Sequence, residues 1–96
     1  MDNDMLRFFM AMMSGEPLIQ DTVGTDVVDE YIIDTCCVID CGWETGVCKR
    51  PGDKWIIVQR YSDKELATKG HGVWCGICAG HPEKLYSVQT GRYEAF

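Results

Sequence analysis

The chain has 96 residues, enough for one domain with a small core, and its 46% hydrophobic and 25% charged residues exclude a disordered or collagen-like polymer. The net charge of −6 is unevenly placed: residues 1–44 hold ten acids and one base (Arg7), a net of −9, and residues 45–96 hold five acids and eight bases, a net of +3. The acidic half argues against non-specific binding of nucleic acid and suits either a partner protein with a basic surface or a role in solubility alone.

The opening MDNDMLRFFMAMM places acids where a secretory signal needs bases. No stretch reaches the roughly 18 apolar residues of a membrane span. A cytoplasmic protein with reduced thiols is therefore expected, with no membrane and no direct nucleic-acid partner. Residues 3–13 carry an apolar pattern at helical spacing, capped by Asn3 or Asp4 and ended by Ser14-Gly15. All five methionines lie before Ser14, and methionine-rich faces re-pack readily around partners. Phe8, Phe9 and Met12 are the candidate contacts there, for the core, for a partner or for a second copy in a homodimer.

Residues 14–30 are polar and turn-rich and read as a solvated loop, with at most a helical turn near 26–30. Asp26, Asp29 and Glu30 are the candidate acidic contacts for a basic partner. Residues 31–40 (YIIDTCCVID) are rich in β-branched side chains and predict a strand. A short strand over 45–49 and a second firm one over 54–61 (KWIIVQRY) flank the turn Arg50-Pro51-Gly52-Asp53. Ser62-x-x-Glu65 is a capping box. It opens a helix over 62–79 whose inward stripe is Leu66, Gly70, Val73, Trp74 and Ile77. Residues 84–89 could add a last strand. The expected fold is α+β: a small antiparallel sheet of two or three strands (31–40, 45–49, 54–61), one packed helix (62–79) and a short N-terminal helix (3–13). It divides into an acidic, methionine-rich segment, 1–30, and a ββα core, 31–96, within a single domain.

Six cysteines carry the chemistry that can be read from the residues. Trp74-Cys75-Gly76-Ile77-Cys78 differs by one residue from the thioredoxin motif WCGPC. That motif works at a helix N-terminus, where the dipole favours the thiolate. Here it falls at the C-terminal end of its predicted helix, so a dithiol redox protein is an alternative rather than the leading expectation. Cys41-x6-Cys48 with Cys75-x2-Cys78 has the outline of a four-cysteine structural zinc site, although the first spacing is wider than a standard knuckle. His71, Cys75 and Cys78, at i, i+4 and i+7, share one helix face, which makes His71 a further metal candidate. Buried, reduced cysteines behaving as small hydrophobes are the third reading. No Gly-x-Ser-x-Gly, phosphate loop or His-Glu-x-x-His is present, and no catalytic residue is assigned.

The pieces WETGV (43–47) and KWIIVQRYSDKELATKGHGVW (54–74) resemble a pattern of small tailed-phage proteins. In that pattern a W/Y-E-T-x-V strand is followed by a W-x-x-V-x-x-Y strand and a helix with A-x-x-G-H-x-x-W. The resemblance spans about a third of the chain. It implies expression in a bacterial host and no enzymatic activity. The expected function is a non-enzymatic accessory protein of phage type that binds a host protein through an acidic surface, with inhibition of a complex that handles nucleic acid or serves defence as the expected consequence. A zinc-stabilised structural or virion component is the alternative.

Overall fold

The computed structural model describes residues 19–39 and 42–96. Four antiparallel strands, β1 (Ile19–Val28), β2 (Tyr31–Val38), β3 (Gly42–Lys49) and β4 (Trp55–Tyr61), form one sheet in chain order. A helix, α1 (Lys64–Cys78), crosses one face of that sheet and touches all four strands. A hairpin of β5 (Lys84–Ser87) and β6 (Arg92–Ala95) forms a second, two-stranded sheet. The hairpin abuts β4, where Val88 N donates to Ile57 O at 2.9 Å.

The class is α+β, but the expectation of two or three strands is overturned by this four-stranded sheet and its separate hairpin. The largest departure is β1, in a stretch expected to be loop. Its sequence hides it for a physical reason. It is an edge strand, and its register shifts between Ile19 and Asp21 and again between Thr22 and Gly24. Those irregularities erase the alternation that marks a half-buried strand. The exposed acids Asp21 and Asp26 also suit an edge, where charge discourages pairing with other chains. β1 pairs with β2 along its length, so residues 19–28 belong to the same sheet as the strands of the core, and residue 30 lies in the tight turn between them. The 45–49 strand begins earlier, at Gly42, and pairs Trp43 with Tyr61. The N-terminal helix over 3–13, with Phe8, Phe9 and Met12, lies outside the described residues, as does Cys41.

Tyr31, Ile33, Val47, Ile56, Val58, Cys78 and Leu85 make the core between sheet and helix, with Trp74, Cys75 and Phe96 packed against it. The opposite faces of β2 and β3 carry Ile32, paired with Cys48, and Cys36, paired with Glu44. All four are also buried, so both faces of these central strands are covered.

The helix starts one residue later than the capping box implies. Asp63 is the N-cap, and its Oδ1 accepts from Leu66 N at 2.9 Å. The inward face is turned by about a quarter of a rotation. Ala67, Gly70, His71 and Cys78 are buried, whereas Leu66, Val73 and Ile77 face out. Gly70 explains part of this. Tyr61 lies so close that a Cβ at Gly70 would stand 2.2 Å from its OH. The helix can approach β4 this closely only where a side chain is missing.

Candidate functional site

Where α1 crosses β1 and β2, His71 enters the sheet side of the helix. An imidazole buried there needs partners for both nitrogens. Nε2 donates to Asp26 Oδ2 on β1 at 2.7 Å. Nδ1 meets Thr35 Oγ1 on β2 at 2.7 Å. The chain of contacts continues from Thr35 Oγ1 to Thr45 Oγ1 at 2.6 Å and on to Tyr61 OH at 2.9 Å. Thr35 and Thr45 are directly opposed on β2 and β3, so four strands and the helix are joined through one line of polar groups. One turn along α1, Cys75 brings its thiol to the same place. The donor atoms of Asp26, His71 and Cys75 all lie within 4.8 Å of one another.

The structure therefore regroups the residues expected to hold metal. Cys48 sits on β3 between inward-facing Val47 and the strand end, so period-two alternation points it away from α1. Its Sγ donates to Gly52 O at 3.4 Å. It is thus on the opposite sheet face from Cys75 and Cys78, and the four-cysteine arrangement does not assemble among the described residues. Cys78 is buried in the core cluster. His71 is retained and gains Asp26, which was expected to be a solvated loop acid and instead stands on a strand. Asp29 and Glu30, at the β1–β2 turn, pair with His81 at 3.3 and 3.2 Å. They tie that turn to the segment following α1.

The sequence did carry a signal for the polar line. Thr35 follows Ile33 by two and Thr45 precedes Val47 by two, so each is a polar residue on an otherwise apolar strand face. The partner of such a residue is invisible until the register is known.

Both thiols of the Cys-x-x-Cys pair lie in the last turn of α1, and that turn holds no basic residue. The helix dipole there opposes a thiolate. Burial pushes the Cys75 thiol above its ordinary value, and the Asp26 carboxylate adds to the effect. Burial, followed by the nearby Cys75, pushes Cys78 up to about 11. This is the reverse of the environment that activates redox thiols. Alkylation of Cys75 by iodoacetamide, followed against pH in a chain whose other cysteines are Ser, is expected to show a midpoint above the free-thiol value of about 8.5. Asp26→Asn should bring it down, because a negative neighbour is removed. A midpoint below about 6.5, in the range of activated thiols, would restore the dithiol reading.

No protein-family model, no curated protein and no solved structure matches the chain. Among the described residues, no helix is long and apolar enough to cross a membrane.

Proposed function

We propose that the protein acts without catalysis, by binding another protein through the outward face of α1, as an accessory protein of phage type that engages a host protein inside the bacterial cell. The observation that carries this reading is the line of Leu66, Val73 and Ile77. They are spaced by seven and four residues, so they fall on one stripe of the helix. They are 47%, 60% and 39% exposed. An apolar stripe on the outward face of a helix is the form that helix-in-groove recognition uses.

The acids play a smaller part than the charge count implies. Asp34 and Glu44, two of the ten in the front half, are buried, with Glu44 paired to Arg60 at 3.4 Å. Asp29 and Glu30 remain at the surface and bear on association rate, which exposed complementary charge governs more than affinity.

The test uses the full chain as bait in host lysate, followed by surface plasmon resonance with the captured protein. The combined Leu66→Ser, Val73→Ser and Ile77→Ser variant should fold as the parent does and dissociate faster. Asp29→Asn with Glu30→Gln should slow association, most visibly at low salt. If nothing is captured, or if the triple Ser variant holds the partner as the parent does, the reading fails.

A further inference from the structure

We propose that Asp26, His71 and Cys75 form a site for a divalent transition metal, of the class zinc represents, which ties the edge strand β1 to α1. The three groups are a carboxylate, an imidazole and a thiol, the donors zinc accepts. Their ligand atoms already lie within 4.8 Å of one another. A tetrahedral shell with bonds of about 2.0–2.3 Å holds its donors roughly 3.3–3.8 Å apart. The Asp26–His71 pair at 2.7 Å must open slightly to reach that spacing. Asp26 is exposed, so its carboxylate has room to shift outward from His71. His71 and Cys75, four residues apart on one helix, need only side-chain adjustment.

The support behind the imidazole is what separates this cluster from an accidental one. A histidine ligand is held through its other nitrogen, which fixes the ring and its tautomer. Here Nδ1 is held by the buried Thr35 hydroxyl, itself bonded to the buried Thr45 hydroxyl and so to Tyr61. Three protein donors leave a fourth position, on the side where Asp26 meets solvent, for water or a group from outside the chain.

The protons balance. An ionised carboxylate only accepts, so Nε2 carries the proton it donates to Asp26. The metal takes the Nε2 lone pair, and the imidazole then carries its proton on Nδ1, donating to Thr35 Oγ1. Cys75 releases its thiol proton to solvent and binds as thiolate. Each hydroxyl of the relay can donate and accept, so the line reverses direction without losing a hydrogen bond. In a 96-residue chain with a small core, such a tie adds stability that the core supplies sparingly.

The experiment is a titration of the reduced, full-length chain with Co²⁺ followed by absorption, then displacement by Zn²⁺. One Co²⁺ per chain with a thiolate-to-metal charge-transfer band is expected. Cys75→Ser should abolish that band, and Asp26→Asn, an exposed change that leaves His71 an acceptor, should weaken binding. Cys78→Ser and Cys48→Ser should leave both band and stoichiometry intact. Thr35→Val should cost about 10–100-fold in affinity, the range for an outer partner of a ligand. Zinc should raise the melting temperature of the parent and leave that of Cys75→Ser unmoved, a readout that does not depend on the spectrum. No thiolate band in the parent, or a band that survives Cys75→Ser, overturns the proposal.

Discussion

Gly70→Ala is expected to destabilise the protein by about 1–3 kcal/mol, the range for forcing extra volume into a packed contact. On helix propensity alone the change should help, by about 1 kcal/mol. Packing decides the sign. The new Cβ would stand 2.2, 2.3 and 2.4 Å from Tyr61 OH, Cε1 and Cζ. Tyr61 cannot swing aside without breaking its bond to Thr45 at 2.9 Å and disturbing the line that ends on His71. Gly72 supplies the control. A Cβ there meets nothing within 4 Å, so Gly72→Ala should be neutral or stabilising by up to about 1 kcal/mol. Urea melts of the two variants should move in opposite directions. Equal midpoints would mean that α1 does not approach β4 through Gly70.

Tyr31→Ala is expected to cost roughly 3–5 kcal/mol, as for a large aromatic removed from a core. That is a large share of the ~5–15 kcal/mol that holds a typical domain together. Tyr31 is 0% exposed. Its ring packs on Phe96 and on His81, with centroids 5.7 and 6.1 Å away. Its OH donates to Pro82 O at 2.6 Å. One side chain thus fastens the start of β2 to the segment after α1 and to the chain's last residue. Tyr31→Phe separates the contributions. It keeps the ring and removes one hydrogen bond, for a loss of about 1 kcal/mol, or about 4–8 °C in a domain of this size. If Tyr31→Ala melts like Tyr31→Phe, the ring is not a core element and the packing described for β2 is wrong.

The parts of the fold that were legible in the sequence are those whose signals are local. β2 and β4 are runs of β-branched and aromatic residues, and α1 carries a capping residue and a helical apolar pattern. The placement of Cys75 and Cys78 at the C-terminal end of α1 followed from that helix alone. What stayed hidden depends on partners far along the chain. β1 is irregular and acidic because it lies at an edge, so its pairing is written in β2 rather than in itself. The inward face of α1 cannot be read from hydropathy, because Leu66, Val73 and Ile77 are its more apolar residues and yet face out. The structure instead buries His71, whose cost is met by Asp26 and Thr35, 45 and 36 residues away in sequence. The candidate site was half legible: His71 and Cys75 share a helix face by spacing, but Asp26 joins them only once β1 exists. The four-cysteine outline came from counting along the chain, and sheet alternation at Cys48 undoes it.

The sharpest single measurement concerns the His71 imidazole, because its grip on both β1 and β2 is what fixes the site. A long-range ¹H–¹⁵N correlation spectrum of metal-free protein should show a proton on Nε2 that exchanges slowly with water. His81, exposed at the chain's other histidine position, provides the fast-exchanging reference in the same spectrum. One equivalent of Zn²⁺ should remove the Nε2 proton and leave the protonated nitrogen at Nδ1. A His71 ring that exchanges as fast as His81, or an Nε2 that bears no proton in the metal-free chain, would contradict the arrangement of Asp26, His71 and Thr35.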